Sequence, residues 1–531
     1  MNEIPAIASP GLGAAVEACE ERAHDLYFER RDWSRALLQW QIRAKLGPPT
    51  IESQLALAHC EIVMGVDRDH PEIGLSNPAS ASNGRLANYA HRIRTSATAY
   101  LMEGNGARAA KLARLVTAVD PHFRSVYERQ ILPGPEAGPI DIPDPARDRE
   151  PLPFERGRPF AAADARAVLA RYADRRVLLF TARANAAIQE DTLCRYLRTS
   201  VETVGLAIRI VESHNWQADA AIQTPEVLRA AIEEFRPHVI VILDALISGA
   251  SSYDQTRPAI LAVLHDARHR LGAKVVFSYT DAWYGGMPEL FDAIADHTDL
   301  FHVIFAGVQP RLTPRVAAKT FCFPLPCPDP RAPDAPRPAQ RAGAGFVGSF
   351  SWSNQARLAW WSEIRRLGLP IELRFHNIAG QLTPEAYAEL IASYPISVDF
   401  AARITGDQVL TLRAIEAPWF GSLLLSEAAA DTAYWMRPYE HYVPFATLHQ
   451  LAGRLRILME NAPLRERITR AGTAWVQSQF SAHQFWARLL HRLDGTPPVA
   501  TRLPELRLGG VALRIPSSPE TYAAFARPIG P

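Results

Sequence analysis

Arg413 and Glu416 stand three residues apart in the segment ARITGDQVLTLRAIEAPWFGSLLLSE, a spacing that presents a cation and a carboxylate on one face of a helix. A carboxylate there can accept two hydrogen bonds from a ribose or sugar diol, and an arginine can balance a diphosphate. By spacing alone, an ordinary intrahelical salt bridge between the two is the commoner outcome. Thr405-Gly406-Asp407-Gln408 has capping-box spacing, which predicts a helix over Asp407–Ala417 starting near Gly406, its free amides pointing out of a sheet edge. Such an end attracts phosphate. Pro418 and Gly421 end that helix and turn the chain into the apolar run SLLL.

These residues need a sheet to hold them, and the pattern along the chain supplies two. Proline-dense stretches from Leu132 to Pro159 and from Phe323 to Pro338 read as extended linkers and cut the 531 residues into three. In the first third apolar residues recur three and four apart through Ala23–Leu46, Ile51–Met64 and Leu86–Val119, with no strand pattern. Two stretches, beginning at Ala23 and Ala97, resemble tetratricopeptide helix pairs, with Ala36 and Ala110 where helices would touch; a plain helical bundle fits equally. The middle third alternates expected strands (Val177–Thr181, Ala207–Val211, His238–Leu243, Lys274–Tyr279, Phe301–Phe305) with amphipathic helices. The alternation restarts at Gly345–Val347 and continues through Ile371–Phe375, Ile396–Phe400 and Ser422–Leu425, with Thr383-Pro384-Glu385 opening a capped helix to Ser393. The end is helical from about Leu448 to Leu493. Short buried strands alternating with helices imply doubly wound parallel sheets, whose ligands bind at the carboxyl ends of the strands.

The expected organisation is a helical module (1–130), a proline-rich linker (131–159), a first Rossmann-like domain (160–325), a linker (326–340), a second Rossmann-like domain (341–495) and a tail (496–531). The 57 basic and 56 acidic side chains nearly cancel, so charge favours no nucleic-acid partner. Five scattered cysteines suit a reducing compartment, and Cys322 and Cys327 have no neighbours that complete a zinc set. A leader pattern is missing from the N-terminus, and no run approaches the roughly 18 apolar residues of a membrane span, so a cytoplasmic protein is expected.

The Arg403–Glu427 segment resembles the donor-binding stretch of GT-B glycosyltransferases, particularly the family 1-like proteins related to spore-maturation protein CgeB. Arg413, Glu416 and Ala417 match the R-x-x-E-A helix, followed by Gly421, Leu424, Leu425 and then Arg437-Pro438-Tyr439-Glu440-His441-Tyr442. Gly345-Phe346-Val347-Gly348-Ser349 is similar to the start of the family's C-terminal domain; there Gly348 would let the backbone approach a diphosphate and Ser349 would donate a hydrogen bond. The resemblance covers roughly Arg175 to Leu493. It implies a nucleotide-diphosphate sugar as donor, bound by Gly348, Ser349, Gly406, Arg413 and Glu416, with a glycan or protein acceptor and no metal or further cofactor. The sequence departs from the pattern at Val409, where many retaining enzymes have a second glutamate, and at Ile396–Phe400, where Asp399 stands near the family's usual asparagine.

A transfer of the inverting kind needs a base near the acceptor hydroxyl. Asp281, in TDAWYGG after Lys274–Tyr279, resembles the family's turn there, though a helix-cap or turn aspartate is the commoner role for such a residue; Asp244 is a weaker candidate. Asp67-Arg68-Asp69 reads as a solvated turn, His376 as structural, and Trp360-Trp361 as helix core. Neither half carries G-x-G-x-x-G after its first strand, which argues against a dinucleotide oxidoreductase. The helical module hints at a protein partner. Two rivals share the fold: a binding protein that senses a nucleotide sugar without turnover, and a nucleotide-sugar epimerase.

Overall fold

Runs of β-branched and apolar residues such as Val239–Leu243 (VIVIL), buried at every position, build two sheets in the computed structural model of the chain. It describes residues 10–46, 50–66, 84–132, 138–144, 152, 164–182, 192–213, 224–243, 251–279, 287–327, 338–348, 357–375, 382–401, 409–495, 506–508 and 511–513. The first sheet comprises β1 (Arg176–Ala182), β2 (Ala207–Ser213), β3 (Val239–Leu243), β4 (Lys274–Tyr279), β5 (Leu300–Val303) and β6 (Thr320–Cys322). Its order is β2-β1-β3-β4-β5-β6, with every neighbouring pair parallel. The second comprises β7 (Ala344–Gly348), β8 (Ile371–Phe375), β9 (Ile396–Asp399), β10 (Leu423–Glu427) and β11 (Val443–Phe445), in the order β11-β10-β9-β7-β8. Its β11–β10, β10–β9 and β9–β7 pairs are parallel. The expected pair of doubly wound α/β sheets behind an all-helical N-terminal region is thus present. The short strands β6 and β11 had no sequence signal of their own, because three residues are too few for a period.

Helices form where the sequence caps them. Thr383 accepts from the Ala386 amide with Pro384 at the first helical position, giving the helix Pro384–Ser393 at its expected bounds. The helix predicted over Asp407–Ala417 instead runs Leu412–Trp419. Thr411 caps it by accepting from the Ala414 amide, while the Val409 amide bonds the Ala401 carbonyl and the Leu410 amide bonds Asp431. The residues of the expected capping box, Thr405 to Gln408, lie outside the described residues.

By contact, the chain falls into two compact units, and both sheets belong to one of them, made of residues 138–349, 372–446 and 453–531. The other joins the N-terminal helices to residues 350–371 and 447–452. Within this helical unit are α1 (Pro10–His24), α2 (Trp33–Leu46), α3 (Ile51–Met64), α4 (Gly84–Met102), α5 (Gly106–Val116) and α6 (Pro121–Val126). The helix Arg357–Arg366 packs on α4 and α5, and its Trp360 and Trp361 are fully buried. Glu363, also fully buried there, accepts from Arg114 of α5 at 3.0 Å and from Arg366 at 2.5 Å. At Gly106 a Cβ would lie 2.6 Å from the Arg365 backbone, so the absence of a side chain sets the helix spacing. Gly106→Ala is therefore expected to destabilise the protein by about 1–3 kcal/mol, as overpacking does. Thermal or urea unfolding checks it; a variant as stable as the parent would show that the two helices do not pack at this distance.

Candidate functional site

The second sheet reverses its direction of growth between β7 and β9: the chain goes from β7 out to β8, then returns to build β9, β10 and β11 on the other side. Doubly wound sheets bind ligands beyond the carboxyl ends of the strands at such a point. Gly348 ends β7 and Asp399 ends β9, and Arg413 ties the two together. Its Nε donates to the Val347 carbonyl at 2.6 Å and its Nη1 to Asp399 Oδ1 at 2.9 Å, with the guanidinium 4.3 Å above the Phe346 ring. Burial works against the charge of Arg413, but Tyr387, Asp399 and Glu416 outweigh it and raise the pKa, so the side chain stays cationic. Nη2 makes no hydrogen bond among the described residues and lies against Gly348, where any Cβ would collide with it. The geometry leaves one face of a fixed cation, 10% exposed, at the mouth of the switch point.

Arg413 and Glu416, neighbours on one helical face, do not pair with each other. Glu416 Oε1 accepts from the Tyr196 hydroxyl at 2.6 Å and Oε2 from the Tyr387 hydroxyl at 2.7 Å. Tyr196 belongs to the helix Thr192–Thr203 after β1, and Tyr387 to the helix Pro384–Ser393 after β8. The glutamate is only 3% exposed; burial raises its pKa, against the two hydroxyls and Arg413, which pull it down. Burial, then Glu416 itself, holds both phenols well above their usual pKa, so both remain donors.

A third buried carboxylate joins the two sheets. Asp431, in the first turn of the helix Ala430–Trp435 after β10, accepts from the Ala306 and Gly307 amides at 2.7 and 3.3 Å on Oδ1 and from the Leu410 amide at 2.8 Å on Oδ2. Ala306 and Gly307 follow β5 of the first sheet. Burial pushes the Asp431 carboxyl up to about 6, against the pull of the three amides.

Of the residues singled out from the sequence, the structure brings together Gly348, Arg413 and Glu416. Gly406, Ser349 and Asp281, with Asp244, His376 and Asp67-Arg68-Asp69, lie outside the described residues. The stretch Arg437 to Tyr442 makes a tight turn with Tyr439 at φ 64, and α-helical Gly472 packs on its His441 carbonyl so closely that no Cβ fits. Tyr196, Tyr387 and Asp431 were missed. Their partners are distant in sequence (220 residues for Tyr196), so no local spacing could reveal them.

The chain thus holds two doubly wound parallel sheets, with a fixed cation at the carboxyl edge of the second. Residues 341–491 match the family described as glycosyl transferase-like, less than half of the chain. Among solved structures the chain is similar to Anabaena HepE, crystallised in complex with UDP and glucose, at 11% identity and a TM-score of 0.40, covering 60% of this chain and 100% of that one. It is also similar to sucrose-phosphate synthase from Thermosynechococcus elongatus (12% identity, TM-score 0.43, 60% and 99% covered). A glycosyltransferase from Rickettsia africae gives 9% identity and a TM-score of 0.39, with 60% and 98% covered. No curated protein matches the chain in sequence. No helix among the described residues is long and apolar enough to cross a membrane.

Asp431 gives the site a pH signature. Its pKa is raised in the folded state, so its contribution to stability is complete below the unfolded value near 3.8 and is lost as pH rises through about 6. Asp431→Asn removes this titration and turns an N–H toward the Leu410 N–H, at a cost of about 1–3 kcal/mol. The stability difference between parent and variant, followed by denaturant unfolding, is expected to shrink between pH 4 and 7. A difference independent of pH would contradict the assignment.

Proposed function

We propose that this protein is a glycosyltransferase that moves a sugar from a nucleotide-diphosphate donor to an acceptor hydroxyl of a glycan or protein, with the donor on the second sheet. The observation that carries the reading is Arg413: a cation locked by Asp399 and the Val347 carbonyl at the β7/β9 switch point, its Nη2 turned to the glycine that ends β7. The glycosyl transferase-like match over 341–491 covers all of these residues. In this reading the donor diphosphate sits over Gly348, with Ser349 and the segment around Gly406 beside it, and Arg413 stabilises negative charge as the bond from the anomeric carbon to the diphosphate breaks. The acceptor oxygen forms the new bond to that carbon, and Asp281 takes its proton. A fixed guanidinium meets the charge on the leaving group without a metal, and the reaction draws on no other cofactor. The CgeB-related group is the relative this reading favours, the cytoplasm its compartment, and the N-terminal helices its contact with a protein partner.

A non-catalytic sensor of nucleotide sugars is the second reading, favoured by the enclosure of Glu416 between two tyrosines. Purified protein is titrated with nucleoside diphosphates and their sugars, unfolding temperature being the readout. One donor family is expected to stabilise it, by about 2.7 kcal/mol at a hundred times its Kd. Gly348→Ala, which forces Arg413 Nη2 aside, is expected to abolish that shift. The absence of any shift at millimolar nucleotide would overturn the donor site; binding without transfer, hydrolysis or epimerisation would select the sensor.

A further inference from the structure

Glu416 carries one hydroxyl on each carboxylate oxygen, at 2.6 and 2.7 Å, from two different side chains. A carboxylate that binds a vicinal diol has the same pattern, one hydroxyl per oxygen. At 3% exposure the residue has no open side on which a third group could join. A diol can therefore give both its hydroxyls to Glu416 only by replacing both tyrosine hydroxyls. The two tyrosines differ in origin. Tyr387 comes from the helix after β8, in the same sheet system as Glu416, whereas Tyr196 reaches across from the helix after β1 of the first sheet.

Resting on the donor reading above, we infer that the Tyr196 and Tyr387 hydroxyls occupy the positions of a ribose diol, and that a nucleotide displaces both. The chain is self-occupied at its donor site. Apparent affinity then scales with the fraction of molecules in which the two hydroxyls are withdrawn, a cost that removing either hydroxyl relieves in part. The plug also filters ligands, because only a sugar with both hydroxyls returns both hydrogen bonds to a buried carboxylate, and leaving one oxygen of it unpaired is unfavourable.

The test uses the full-length protein, with uridine, guanosine and adenosine diphosphates and their 2′-deoxy analogues as probes, and calorimetry as readout. Tyr196→Phe is expected to bind the preferred ribonucleotide about tenfold more tightly, since a hydrogen bond to a charged group is worth at least that factor. The tightening is expected to be smaller for the 2′-deoxy form, so the ribo-to-deoxy ratio grows. A lower unfolding temperature without nucleotide should accompany it. Tyr387→Phe removes the other hydroxyl and serves if Tyr196→Phe does not fold; it too should raise the ribo-to-deoxy ratio. Unchanged affinity in a folded variant, or equal changes for ribo and deoxy forms, would overturn the inference while leaving the donor reading standing. Binding by neither parent nor variants would remove both.

Discussion

A guanidinium buried at a sheet edge is tolerable only if a carboxylate and an acceptor are fixed around it, and the second sheet is arranged to meet that condition for Arg413. Asp399 ends β9, the Val347 carbonyl belongs to β7, and Phe346 supplies a ring beneath the cation. The pair β7/β9 is where the chain reverses direction, so the requirement to neutralise one cation couples the two halves of the sheet to the helix that carries it. Gly348 follows from the same constraint, since Arg413 fills the volume a Cβ would take.

Carboxylates do the joining elsewhere in the two-sheet unit. Asp431 is held by amides of the turn after β5 and of the loop before Leu412, and Glu416 by hydroxyls from both sheet systems. Each is desolvated at a cost that only complete hydrogen bonding offsets, and each is placed where the sheets meet. The aromatic core reinforces this: the Trp486 indole, from the helix Ala482–Leu493, donates to Ser200 Oγ at 2.8 Å, and Tyr172 donates to Asp494.

Much of the fold was legible because its signals are local. Lys274–Tyr279, Ile371–Phe375 and Pro384–Ser393 occur at their expected bounds, since apolar runs and a Thr-Pro-Glu cap specify them without help. Arg413, Glu416 and Gly348 were legible as residues, but the partners of the charged pair were not. The structure gives Arg413 to Asp399 and Glu416 to two tyrosines because tertiary burial offered better-placed partners than the helix face did. The helix starts at Leu412, later than expected, where Thr411 caps it and the Leu410 amide just before it is committed to Asp431.

The helical unit is assembled from three separate pieces of chain, and its α5 is completed by a helix that follows β7. The order of synthesis matters for such an arrangement. When the first helices emerge from the ribosome, the face of α5 whose Arg114 pairs with Glu363 has nothing to cover it, and all six strands of the first sheet must be made before its partner exists. Long-range closure of this kind is slow. The nascent N-terminal helices thus carry an uncovered surface during translation, and truncation before Arg357 leaves that surface permanently unfilled.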